Sequence, residues 1–267
     1  MRLKNGPKRQ AKRKANRPIN PMTSPFDDAK SKIKRAKQNI NYLHALVRDS
    51  RDKYSYSLIV EHDAKTCCDL LRLKAPETMP VEFSPTLAKV LRNLRGALDS
   101  AWLHIAFAGT LVSEFPIYPT RNDFESAVEN TLKHEAAEDI IKFIVDVIQP
   151  YKGGDGEKIW ALHVLDTKAK QGRSLHLNYN FVQGVRAVDD RGGFDIPYWT
   201  FIPPCNVTRP CDGRRNVKIT DYGEVVMQIT FNDRLPMEGQ YILPALNELA
   251  VFIGGTVNCL EMKFLAG

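Results

Sequence analysis

Residues 1–20 contain no aspartate or glutamate, and residues 1–25 no aromatic ring, in a 267-residue chain that elsewhere has both. The missing acids leave Arg2, Lys4, Lys8, Arg9, Lys12, Arg13, Lys14 and Arg17 unopposed. Set against the whole-chain charge of +7, these eight cations leave the remaining residues at a net −1. The sequence pI of about 9.1 therefore describes a tail, and the body is close to neutral. The missing rings exclude base stacking by that tail.

Long apolar runs are also absent. The stretch Ile159 to Leu165 is interrupted by His163 and falls well short of the ~18–20 residues a membrane helix needs. With a mean hydropathy of −0.33, the chain reads as one without a membrane span. No apolar segment follows the N-terminal cations as a secretory signal requires, and their Asn, Gln and Pro neighbours do not make a Ser-rich transit peptide. Five cysteines, an odd count with Cys67 and Cys68 adjacent, do not make a disulfide framework. A reducing cytoplasm is the expected location, where the sequon Asn206-Val207-Thr208 has no meaning.

Several chemistries lack their motifs. Gly153-Gly154-Asp155-Gly156 has neither the preceding strand nor the following GK[ST] of a phosphate loop, and is most simply a turn. Cys205 and Cys211 have no second cysteine pair to complete a zinc site, and neither HExxH nor GxSxG occurs. No metal or cofactor is expected.

With 43% hydrophobic and 26% charged residues, the chain has globular composition and enough length to bury a core. Residues 1–23, with three prolines and no apolar period, read as a disordered basic arm before one α+β domain over 24–267. Ser24-Pro25 reads as a cap and first helical position, followed by a stripe of Ile33, Ala36, Ile40, Leu43 and Val47 to about residue 52. Alternation over 54–62 and a second segment over 66–73 predict a hairpin. Ser84-Pro85 repeats the cap-then-proline pattern ahead of Leu87, Leu91, Leu94, Leu98, Ala101 and Ile105. Helices are expected over 123–133, 136–148 and 157–167; in the second, Ala137, Ile140, Ile141, Ile144, Val147 and Ile148 should face inward. The helical part thus runs over 24–170. A β-rich part over 171–243 holds four strands as an antiparallel meander, and a closing helix spans 244–264.

Two features carry chemistry. Lysines and arginines spaced along a flexible arm neutralise phosphates and release counterions, giving salt-sensitive binding blind to sequence. The arm's candidates are Lys8, Arg9, Lys12, Arg13, Lys14 and Arg17, and Lys30, Lys32, Lys34, Arg35 and Lys37 prolong the charge to residue 37. The second is the helix after Ser84, where Arg92, Arg95 and Asp99 share a face and Ser100 and His104 follow along the next turn. Arginine and histidine one turn apart can hold a phosphate and move a proton, the minimum for metal-free RNA cleavage. The plainer reading is an Arg95–Asp99 helix pair worth ~0.3–0.5 kcal/mol on a solvated face.

Four segments taken in order, Leu94-Arg95-Gly96-Ala97-Leu98-Asp99, Phe115-Pro116-Ile117, Gln149-Pro150-Tyr151 and Leu162-His163-Val164-Leu165-Asp166 with Lys170, resemble a family of uncharacterised bacterial and phage-borne proteins. Its members read LRxALDH, FPI, QPY and LWxLHxLDxxDKHR, and the likeness covers about residues 80–180 and the final helix. A helical core with Arg and His also resembles, more distantly, the HEPN superfamily, whose RxxxxH helix cleaves RNA in toxin and defence proteins. Here Ser100 stands at the family's histidine, and Ala169 and Gln171 stand where Asp and His are usual, leaving Lys170. Serine and glutamine do not exchange protons near neutral pH. The resemblance thus implies a binding or accessory protein without surviving catalysis. The alternative is a HEPN-like ribonuclease using Arg95 with Asp99, His104 or Lys170, in which case Arg95, Ser100, Lys170 and Gln171 should meet in one cleft.

Overall fold

The computed structural model describes residues 26–53, 57–65, 67–74, 82–106, 114–132, 136–171, 175, 177–201, 207–208, 216–222, 226–232 and 234–266. The arm with Lys8, Arg9, Lys12, Arg13, Lys14 and Arg17, the Ser24-Pro25 pair, Cys205, Cys211 and Asn206 lie outside them. The described chain runs α1 (Asp27–Lys53), β1 (Ser57–Asp63), β2 (Cys68–Lys74), α2 (Phe83–Ile105), α3 (Arg121–Asn130), α4 (Glu138–Phe143), α5 (Glu157–Lys170), β3 (Leu177–Asp189), β4 (Gly192–Phe201), β5 (Val207–Thr208), β6 (Lys218–Tyr222), β7 (Val226–Phe231) and α6 (Ile242–Ala266). The described strand pairs are antiparallel, and strands and helices do not alternate as βαβ units, which makes an α+β fold.

The helical stripes build the core. Ile33, Ala36, Ile40 and Leu43 of α1 are buried against the α2 row Leu87, Leu91, Leu94, Leu98, Ala101 and Ile105. Leu246, Leu249, Ile253 and Val257 of α6 close over both helices. The first and last helices are tied directly. Lys30 Nζ lies 2.6 Å from a Glu261 carboxylate oxygen, and the rings of Phe26 and Phe264 are 5.9 Å apart. By length and composition α6 is apolar enough to cross a membrane, a property that a count of unbroken apolar runs passes over. Eight of its residues are buried against the rest of the fold, while Val251, Met262 and Leu265 are exposed.

Two local expectations change. Helix α2 begins at Phe83 with Glu82 as its cap, so Ser84 and Pro85 sit inside the first turn. Proline is tolerated there because those N–H groups have no partner within the helix. After α4 the chain widens into a π turn over Ile144–Ile148, closed by the Gln149 N–H on the Ile144 carbonyl at 2.9 Å. The added residue per turn keeps Ile144 and Ile148 buried but rotates Val147 into solvent, and Ala137, ahead of α4, is also exposed.

The strands β1 and β2 form a hairpin in register from Ser57 opposite Lys74 to Asp63 opposite Cys68, and β5 adds a third strand to β2. In the second sheet β3 is central. It pairs β4 along one edge, while β7 over 177–182 and β6 over 185–188 share the other. The two sheets meet at Asp69, whose N–H donates to the Val217 carbonyl and whose carboxylate accepts from the Ile219 N–H.

Candidate functional site

Three of the quoted segments are joined in series, the Phe115 segment docking on α2 and the Gln149-Pro150-Tyr151 segment on Tyr118 beyond it. Arg95 is 3% exposed, so the pair with Asp99 expected on a solvated face lies in the interior. Its Nη1 is 2.8 Å from Asp99 Oδ1, and its Nη2 donates to the Phe115 carbonyl at 3.1 Å and to exposed Glu114 at 3.4 Å. Asp99 in turn accepts the Phe115 N–H at 2.9 Å. One helical turn therefore satisfies both backbone groups of Phe115, whose side chain fills the core edge-on to Trp102 at 6.1 Å. Three residues on, Tyr118 donates its N–H to the Pro150 carbonyl and pairs as a short bridge with Tyr151. The rings of Tyr118 and Tyr151 flank Phe124 at 5.9 and 5.5 Å.

Helix α5 supplies the fourth segment. Asp166 is buried, and its Oδ2 lies 2.6 Å from Lys170 Nζ; its Oδ1 has no hydrogen-bond partner among the described residues. His163 is half-buried and feels the charges of Arg95, Glu114, Asp166 and Lys170. Burial pulls its imidazole below the ordinary histidine value, and Arg95 adds to that effect. Burial pushes the Asp99 carboxyl above its ordinary value, outweighing the opposing pull of Arg95 and the Phe115 N–H.

The structure thus groups Arg95, Asp99 and Lys170 with Glu114, His163 and Asp166, and separates Ser100 and His104 from them. At about 100° per residue, Ser100 is turned ~140° and His104 ~180° from Arg95, so neither shares its face. Buried Ser100 accepts from Lys32 Nζ and donates to Asp28 at 2.7 Å, and Lys32 also lies 2.9 Å from Asp28. The Lys32 bond, helped by Ser100 and opposed by burial, holds the Asp28 carboxyl below its usual value. His104 is exposed with its ring 6.1 Å from Phe26, Arg92 is exposed, and Gln171 caps the exposed end of α5. Arg95, Ser100, Lys170 and Gln171 do not form one cleft. His163 was the residue to single out, and the signal was its place in the LHxLD segment, on the same helix as Lys170.

A second feature lies elsewhere. A cleft of about 830 Å³ opens where α5 meets the 234–240 turn and α6. Lys152, Lys158, Lys168 and Arg234 line it against Asp155 and Glu157, with Trp160, Val164, Met237 and Phe252 as apolar wall. Lys152 Nζ sits 5.6 Å over the Trp160 ring and Lys158 Nζ 5.9 Å over the Phe252 ring. Lys168 donates to the Arg234 carbonyl at 2.6 Å, pinning the turn to α5, and Met237 is held left-handed at φ 68°. Around the α5 axis, Glu157, Ala161, Val164 and Lys168 face the cleft, while His163, Asp166 and Lys170 are turned roughly 130–170° from the centre of that face. The interleaving of Lys152, Lys158, Trp160 and Lys168 was readable in the sequence; Arg234 and Phe252 come from distant elements.

Cys67, Cys68 and Cys259 form no disulfide, and no three His, Cys, Asp or Glu side chains among the described residues are placed to hold a metal ion. No family model, curated protein or solved structure matches the chain.

Proposed function

We propose that the protein is a cytoplasmic binding or accessory module, without a catalytic centre, that contacts nucleic acid through its basic arm. The supporting observation is charge segregation: eight cations without an acid in residues 1–20, against a near-neutral body. Of the five cations expected to prolong the arm, Lys30 and Lys32 are committed to Glu261 and to Asp28 with Ser100, while Lys34, Arg35 and Lys37 are exposed. The basic footprint on α1 is therefore narrower than the composition of that helix implies. Replacing Lys8, Arg9, Lys12, Arg13, Lys14 and Arg17 together by Gln should weaken binding of single-stranded RNA and duplex DNA alike. If all six cations meet phosphates of a single strand, the slope of log K against log salt should flatten by about 4. An unchanged slope would sink the arm's role.

A second reading, metal-free RNA cleavage in the manner of the HEPN-like resemblance, draws support from the electrostatic coupling of His163 to Arg95. Against it, Arg95 is 3% exposed: its Nη2 donates to the Phe115 carbonyl, and its Nη1, which makes no hydrogen bond among the described residues, is buried 2.8 Å from Asp99, so the guanidinium is turned into the protein and away from a phosphate in solvent. Cleavage of RNA in chelator, lost in His163→Gln, would establish this second reading and overturn the first.

A further inference from the structure

We infer that the cleft between α5, the 234–240 turn and α6 takes one unstacked base of a single-stranded nucleic acid, with the flanking phosphates held by the cations at its two ends. The inference rests on the reading that nucleic acid is the partner, and adds a second contact, in the folded body, that distinguishes single strands from duplexes. Its volume of about 830 Å³ lies in the range of small-ligand sites, ample for a nucleotide. Its lining carries four cations against two acids, so it favours an anion, whereas the body as a whole does not.

The aromatic components match the other half of a nucleotide. Trp160 and Phe252 each have a lysine ammonium above the ring. A base can take the place of such a lysine on the ring while the ammonium swings to the adjoining phosphate, because ring faces accept any base by stacking. Among the described residues Lys158 is otherwise held by an exposed pair with Glu248 at 3.1 Å, which a phosphate can replace. The spacing of the charges selects a strand over a free nucleotide. Lys158 and Lys168 are ten residues apart on one helix, about 15 Å along its axis, too far for a single phosphate to bridge. A duplex keeps its bases stacked inside and cannot present one to Trp160.

The test uses the full chain, with fluorescence anisotropy on a labelled oligouridylate and on a duplex of equal length. Trp160→Ala should weaken the oligouridylate roughly tenfold, leave the duplex unchanged and leave the salt slope unchanged, because stacking releases no counterions. Trp160→Phe should recover most of the loss, and thermal melts of both variants report whether the fold is intact. Arg234→Gln, outside the stacking surface and leaving the backbone carbonyl that accepts from Lys168, supplies an independent arm and should lower the single-strand salt slope by about 0.7. The inference is overturned if single-strand and duplex binding fall equally in Trp160→Ala, or if neither falls in either variant, and in those cases the arm-based reading stands. It is overturned as well if uridine monophosphate competes as strongly as the oligomer, or if an acidic peptide does so regardless of Trp160. If wild-type protein binds neither probe at low salt, both readings fail together.

Discussion

Replacing Arg95 by Met removes a guanidinium while nearly preserving the volume of the side chain, so the effect is electrostatic and not a cavity. Arg95 is the donor to the Phe115 carbonyl and the counter-charge of Asp99. Leaving a buried carbonyl without its donor costs ~1–3 kcal/mol. Removing one partner of a buried ion pair costs ~3–5 kcal/mol, a figure reduced here because the Asp99 side chain is 23% exposed and keeps the Phe115 N–H. The expected loss is about 2–4 kcal/mol at pH 7, read as a lower urea midpoint at unchanged m. The pH dependence supplies a stricter check. The folded-state value of Asp99 is raised, so its contribution is fully present below the unfolded value and is lost as pH rises through the folded one. Without Arg95 that value rises further. The deficit of the variant should therefore shrink as pH falls from 7 towards 4, leaving only the carbonyl's share. A loss under about 1 kcal/mol at pH 7, or a deficit that grows on acidification, would refute the assignment of Arg95 as the clamp on Phe115.

His163→Gln should flatten the acid side of the stability profile. The histidine's lowered folded value means that its contribution is present above the unfolded value of 6.5 and is lost as pH falls through the folded one, so melting curves that decline in parallel for wild type and variant between pH 7.5 and 5 would contradict it. Two glycine substitutions should change stability in opposite directions in thermal melts. A Cβ at Gly156 would lie 2.3 Å from the Ile148 carbonyl oxygen, so Gly156→Ala should destabilise by ~1–3 kcal/mol, whereas Gly255→Ala, with open space around it on an exposed face of α6, should stabilise by ~0.5–1 kcal/mol.

The core helices were legible because their signal is local. Leu87 to Ile105 repeat at 3 and 4 residues, and the same period returns in α1 and α6, so burial follows from periodicity alone. The interior position of Arg95 was not legible, because its partner is the Phe115 carbonyl, twenty residues later, a contact that no periodicity encodes. The grouping of Ser100 and His104 with Arg95 failed for a simpler reason. Nearness along a helix is not a shared face, and five- and nine-residue offsets turn both side chains away from Arg95. Likewise α5 has no single apolar stripe, since Leu162 and Leu165 face the core, Asp166 and Lys170 one flank, and Val164 and Lys168 the cleft. A helix with three assignments shows no clean period, and its role becomes visible only once Arg234 and Phe252 are in place beside it.

The contact of α1 with α6 has a consequence for how the molecule is made. Lys30 meets Glu261 across 231 positions of chain, and at roughly 5–20 residues per second a ribosome takes about 10–50 s to cover that distance. During that time α1 has α2 to pack against, while the side of Phe26 that will meet Phe264 waits for its cover. Translation halted before residue 242 would therefore leave a nascent chain with an open apolar seam between its first two helices. Such a product suits capture by chaperones or proteases better than survival as a working fragment.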